Sequence, residues 1–295
     1  MAWIGLYRPS TVEFTSLAAQ FSLHELATEG AILAHQRPRI ERFGSTLVVV
    51  LRAVRCLDAK EEVEFGELHV FLGRNFVITV RHAESLDLAL VHQRLEGTRD
   101  LRARGTEAVL YAILDAVVDA SVPVLAGLAN DIDEIETQVF GGDPGVSRRI
   151  YELTREVIDF QRAAVPLVSM LDQLSNGFDK YGIGDDLQQY LRDVADHVPH
   201  LTQRVDEFRI LLRDILTVNA TLVAQRQNEE MQETTEANNR QTEETRTISA
   251  RAAILFASSI ISGIYRMNFR IMPELSWLFG YPFAIGLILI VGIGL

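Results

Sequence analysis

Apolar residues recur every three or four positions through TEAVLYAILDAVVDASVPVLAGLANDIDEIETQVF (106–140), which predicts a helix of about ten turns, ended by the GGDPG that follows. The same spacing predicts a second long helix over SRRIYELTREVIDFQRAAVPLVSMLDQLS (147–175), with GIGDD (182–186) as punctuation. A third begins near Asp185 and meets no convincing stop before the C-terminal apolar region, with Pro199 as an early bend. Ahead of Gly105 the pattern is different. TLVVVLRAVRCL (46–57), EVEFGELHVFLG (62–73) and NFVITVRH (75–82) are rich in β-branched and aromatic residues with turn signals between them, so they predict a meander of strands. Helical pieces at SLAAQFSLHELAT (16–28) and SLDLALVHQRLE (85–96) interrupt it, which makes the class α+β.

The last stretch is nearly free of charge. Tyr265 is the one ionisable side chain from Ala252 to Tyr265, and Glu274 is the one charge from Ile271 to Leu295. Two candidate spans follow, 248–264 and 277–295, each close to the ~20 residues that cross a hydrocarbon core. The loop 265–276 is short, so the spans form a hairpin with both ends on one side. Positive side chains cluster before the first span, and MAWIGLYRPS has no basic stretch followed by an apolar one, so no cleaved secretory signal is expected. The expected topology is multi-pass in the cytoplasmic membrane with both termini in the cytoplasm. The expected domains are an α/β cytoplasmic domain (1–104), a long-helix and stalk region (105–247) and the transmembrane hairpin (248–295).

Composition narrows the function. An apolar fraction of 48% supports a sizeable core, and a formal charge of −12 argues against a nucleic-acid grip and fits a protein that handles cations. The single Cys56 allows neither an internal disulfide nor a CxxC zinc site, and is expected to be a small buried hydrophobe. There is no phosphate-binding glycine loop, GxSxG, HExxH or paired His/Cys cluster, so an enzyme is not expected. His24, His69 and His92 are expected to be structural or surface residues. In the stalk, RQNEEMQ (226–232) recurs as RQTEETR (240–246), a shift of two heptads that preserves the helix face. That face carries Thr242, Thr245, Ser249, Ala252, Phe256, Ser259 and Ser262 or Gly263. Hydroxyls and small residues in line suit either tight helix packing, which periodicity alone favours, or a water-filled lumen.

The block IYRMNFRIMPELSWLFGYPFAIGLILI resembles the membrane signature of CorA-type magnesium channels, in which the first span ends Tyr-Gly-Met-Asn-Phe and the loop reads Met-Pro-Glu-Leu. Tyr265, Met267, Asn268, Phe269, Met272, Pro273, Glu274 and Leu275 match, and Arg266 stands where the family has glycine. HQRPRIERFG (35–44), GELHVFLGRNFVITVRH (66–82), YAILDAVVDASVPVL (111–125) and LRDVADHVPHLTQRVD (191–206) resemble the family's cytoplasmic domain. The resemblance implies a homopentameric funnel in membrane lipid, with the stalk helix forming the pore wall and the second span facing lipid. It implies a selectivity filter at Tyr265, Arg266, Met267 and Asn268, with Glu274 in the extracytoplasmic loop. The hydroxyl face, Thr242, Thr245, Ser249, Ala252, Phe256 and Ser259, becomes pore-lining, with Phe256 as an apolar constriction that can block ions by dewetting. Mg²⁺ is implied as cargo and as regulator, with Co²⁺ and Ni²⁺ as further cargo. Asp193 matches a regulatory ligand position, and Asp87 is the expected partner across a subunit boundary. The alternatives are a non-conducting or weakly conducting Mg²⁺-sensing relative on the same scaffold, and a zinc-transporting relative.

Arg266 carries the tension between these readings. A divalent ion ~7 Å from one guanidinium in water meets roughly 1 kcal/mol of repulsion, so five would sum to about 6 kcal/mol before salt screening. Splaying outward, or pairing with Glu274, would relieve it. Arg251 lies one turn inside the cytoplasmic end of its span and can snorkel at modest cost.

Overall fold

Val48, Val49, Val50 and Leu51 lie in one run and are all at most 4% exposed, so the strand that holds them is covered on both faces rather than half solvated. The computed structural model describes residues 1–34, 36–57, 62–84, 86–98, 101, 103–176, 185–267 and 277–294. Its five strands are β1 (Ala2–Tyr7), β2 (Arg39–Phe43), β3 (Thr46–Leu57), β4 (Glu62–Leu72) and β5 (Phe76–Arg81). They form one sheet in the order β1-β5-β4-β3-β2, antiparallel except for the parallel pair β1 and β5. The sequence pattern predicts β3, β4 and β5. It leaves out the two edge strands, which are short and do not show buried runs.

Register aligns Ile4, Ile78, Phe71 and Val48 across four strands. Two helices, α1 (Thr11–Gln20) and α2 (Glu25–Leu33), cover this row, with Phe14, Ala27 and Ala31 packed against Val48, Phe71 and Ile78. The expected single helical piece 16–28 is therefore two helices. Ser22 takes a positive φ of 54° after Phe21 ends α1, and His24 accepts the Leu26 amide hydrogen at Nδ1 to start α2. α3 (Leu88–Gly97) follows β5 and is capped by Asp87.

Two long helices, α4 (Thr106–Gly141) and α5 (Val146–Asn176), pack against β3 and β4, and also against each other. α4 is long and apolar enough to cross a membrane, yet 61% of its most apolar window is buried inside the protein, which makes it a core helix. Gly142, at φ +80°, ends it. The third long helix, α6, spans 82 residues, Asp185–Arg266, and continues through Pro199. Its first portion buries Leu187, Leu191, Val194, Val198, Leu201, Val205, Phe208 and Leu212 at alternating four- and three-residue steps. Asn219 donates to Ser147 Oγ (2.8 Å) and Gln161 donates to Asp206 Oδ1 (2.7 Å), tying α6 to α5. Cys56, at the end of β3, is half-buried rather than fully buried, and a Cβ on Gly127 would sit 3.9 Å from its sulfur.

The chain divides into two compact units, Met1–Ala220 and Thr221–Leu295. In the second, α6 residues 223–253 are exposed on every side of the single chain. α7 (Gly280–Gly294) is the second apolar helix, beginning three residues inside the expected span, with Trp277 in ring contact with Phe279 and Phe283 just ahead of it and at its start. Tryptophan suits a membrane interface, where one side of the ring is apolar and its N–H is wet. A Cβ on Gly292 would lie 3.6 Å from Ile254 Cγ2, so α7 packs closely on α6 there.

Phe71 is fully buried at the crossing of the cross-strand row with α1. Phe71→Ala should lower the stability of residues 1–220 by about 3–5 kcal/mol, read as the shift in a denaturant midpoint at unchanged m-value.

Candidate functional site

α6 presents Thr242, Thr245, Ser249, Ala252, Phe256 and Ser259 at alternating steps of three and four, all exposed in the single chain. Thr242, Thr245 and Ser259 donate their hydroxyl hydrogens to the carbonyls of Asn238, Gln241 and Leu255, each at 2.8 Å. With the hydrogen committed to the helix, each oxygen keeps its lone pairs for whatever faces it, so these positions act as acceptors. Acceptors suit a cation or the water hydrogens around one.

The series is longer than the sequence analysis takes it to be. It continues toward the N-terminus through Asn238, Thr235, Met231 and Asn228, and toward the C-terminus from Gly263, already on that face, to Arg266. Every member from Asn228 to Gly263 is uncharged, while Glu229, Glu233, Glu236, Arg240, Glu243 and Glu244 fall on other positions of the same exposed helix. The signal was available in the two-heptad repeat, because a repeat of that length holds face as well as sequence. Arg266 follows Ser259 by seven residues, within about 20° of it around an ideal helix.

Tyr265 and Arg266 are the last residues of α6, and the Met267 amide still donates to the Ile264 carbonyl at 3.1 Å. Arg266 and Met267 are exposed, and Tyr265 is half-buried. Asn268 and Glu274, with the remaining residues of the loop motif, lie outside the described residues, as does the Arg266–Glu274 pairing.

Asp87 and Asp193 sit on separate elements. Asp87 is the N-cap of α3, its Oδ1 accepting the Ala89 amide hydrogen at 2.9 Å. Asp193 is exposed on α6, and His197 Nδ1 donates to its backbone carbonyl at 2.7 Å. The side chains that feel Asp193 are on α4. Burial raises the Asp115 carboxyl above its ordinary value, Asp119 and Asp193 add to the rise, and Arg94 and His197 oppose it. Burial, Asp115 and Asp193 push the Tyr111 phenol up to about 12. Arg94 reaches Asp119 at 3.4 Å and Tyr111 lies against Tyr190 with ring centroids 5.3 Å apart. Asp87 is not among the groups that shift Asp115 or Tyr111. No group of three His, Cys, Asp or Glu side chains among the described residues of one chain is placed to hold a metal ion. An excess of carboxylates is nonetheless gathered where α4 meets α6, and sequence reasoning identifies only Asp193 of the three.

The histidines have other roles. His24 caps α2, buried His69 bonds Glu67 Oε1 at 2.6 Å, and His92 lies against Trp3 with ring centroids 5.3 Å apart.

Because the folded protein holds the Asp115 proton more tightly than the unfolded chain does, stability falls as pH rises from the ordinary carboxylate range through the folded value. Asp115→Asn should therefore raise the unfolding temperature in EDTA at pH 7 by a few degrees. That gain should vanish at pH 3, where both states carry the proton.

Comparison with known proteins places the chain as a whole. A sequence profile of the family described as "CorA-like Mg2+ transporter protein" matches residues 1–295. The chain is 26% identical over 297 residues to the putative metal ion transporter YfjQ of Bacillus subtilis, covering 99% of this chain and 86% of the relative. It is 26% identical over 296 residues to the cobalt/magnesium transport protein CorA of Thermotoga maritima, covering 99% and 80%. Its fold matches the complete structure of the CorA magnesium transporter from Methanocaldococcus jannaschii with a TM-score of 0.66 at 18% identity, covering 99% of this chain and 87% of that one.

Proposed function

The chain belongs to the CorA-like Mg2+ transporter family, and we propose that it is a homopentameric Mg²⁺ channel of the cytoplasmic membrane, with both termini in the cytoplasm and its conductance throttled by Arg266. The observation that carries this reading is the uncharged series from Asn228 to Gly263, on a helix whose residues 223–253 a single chain leaves exposed on every side. Copies of α6 arranged around an axis would turn that series inward and leave the glutamates outside. In this arrangement residues 1–104 and 105–247 are the cytoplasmic domain and stalk, and 248–295 the membrane hairpin.

Mg²⁺ gives up its water reluctantly and takes oxygen ligands. Hydroxyl oxygens whose hydrogens are spent on the helix accept hydrogen bonds from the hydration shell, so the ion can pass with its water in place. The amide of Asn268 supplies the same kind of acceptor at the outer mouth. Phe256 interrupts this lining with an apolar ring that closes by dewetting. The Thermotoga relative's name pairs cobalt with magnesium, so Co²⁺ is a second cargo.

On the cytoplasmic side, Mg²⁺ bound between Asp87 of one copy and Asp193 of the next favours the closed assembly by neutralising carboxylates that otherwise repel. Binding to the folded assembly raises its apparent stability by mass action. Millimolar Mg²⁺ should raise the thermal unfolding temperature, and Asp193→Ala should reduce that shift by half or more. An unchanged shift would remove Asp193 from the sensor.

Arg266 belongs to the same series, which supports a mouth ringed by guanidiniums and a repulsion of up to about 6 kcal/mol on an entering divalent ion before screening. Arg266→Gly should raise Mg²⁺ flux into liposomes at least tenfold, while oligomer and expression stay as they were. Equal flux from the two chains would mean that the guanidiniums point away from the axis and anchor to headgroups instead.

A further inference from the structure

In the first unit, the sheet opens beside α2 and α5 into a cavity of about 870 Å³ that the ion pathway does not use. Its lining brings together Arg37, Arg52 and Arg162 with one carboxylate among the described residues, Glu67. For a chain with a formal charge of −12, this is a local inversion of sign. Glu67 offsets one of the three positive charges and leaves the lining net positive, and both of its oxygens already hold partners. His69 Nε2 meets Oε1 at 2.6 Å and the Gln36 amide donates to Oε2 at 3.0 Å. Arg162 is paired with Asp159 at 3.0 Å. Among the described residues, no carboxylate lies within ion-pairing distance of Arg37 or Arg52.

The Arg52 guanidinium is held over the Phe65 ring at 5.3 Å. Strand register places the two there, since Arg52 pairs with Glu67 and Val54 with Phe65, all on one face of β3 and β4. A cation on an aromatic face keeps its in-plane N–H groups available, so the stack fixes a fork that can still bind an oxyanion. Phe65 and Val165 add an apolar wall. The volume lies in the range of small-molecule sites, which combine apolar lining with a few convergent polar groups, and greatly exceeds what a lone inorganic anion fills.

We propose that this cavity binds a nucleotide-sized organic polyphosphate, its phosphates held by Arg37, Arg52 and Arg162 and its ring set against the apolar wall of Phe65 and Val165. The proposal is independent of whether the pore conducts. The test is calorimetric titration of the full-length chain in detergent and EDTA with ATP, AMP and inorganic phosphate. ATP should bind saturably, more tightly than AMP, with inorganic phosphate weakest. Arg37→Ala combined with Arg52→Ala should weaken ATP about tenfold or more, as expected for lost charge-assisted contacts. Arg162→Glu alters only an exposed position on α5 and should weaken ATP comparably without risk to the strand hairpin, whereas Arg94→Ala, on α3, should leave ATP binding unchanged. Absence of saturable ATP binding, equal affinity for ATP and inorganic phosphate, or unaltered ATP affinity in both cavity variants would each overturn the proposal.

Discussion

Past residue 220 this protein depends on one requirement, that an α-helix satisfy its own backbone. α6 runs on through a stretch with no core beside it in the single chain, and then into a segment whose side chains suit hydrocarbon. A helix meets both conditions because its N–H and C=O groups are paired within the segment, whatever surrounds it. Thr235, Thr242, Thr245, Thr247, Ser258 and Ser259 extend the economy to side chains by donating to the carbonyl four residues back. Propensity alone is a weak support for a helix that is polar on all sides, so its lower part calls for neighbours.

Electrostatics gives the two ends of α6 opposite characters. Near its start, Asp193 adds to the carboxylates of α4, where burial and mutual repulsion leave Asp115 holding its proton more tightly than usual. Near its end, Arg266 places a fixed cation after a long uncharged series. A divalent ion relieves the first arrangement and is opposed by the second. In the channel proposed above, the same ion would be favoured beside Asp193 and resisted beside Arg266, and the balance between these sites would decide whether the protein reports on Mg²⁺ or moves it.

Much of the fold was legible because its signals are periodic. β3 is predicted with the bounds observed, and the three long helices differ from expectation by a residue or two at their ends. The break within 16–28 was not legible, since it turns on Ser22 adopting a positive φ and on His24 capping through its ring, neither of which has a strong sequence signature. Of the site, the series on α6 could be read because helical spacing is local. The approach of Asp115 to Asp193 could not, because α4 and α6 are brought together only by packing. The cavity beside β3 has the same origin, since its three arginines come from separate stretches of the chain.

The two-heptad repeat in α6 separates the length of the stalk from its rotational phase. Adding or removing one such unit changes the helix by about 21 Å and returns every following residue to within about 40° of its former azimuth. An insertion of one or two residues would instead swing the membrane segment by a quarter to a half turn and carry stalk glutamates beyond the insertion, such as Glu243 and Glu244, onto the uncharged line. In the proposed pore, stalk length could therefore change by whole repeats, whereas phase would be held by the chemistry of the seam.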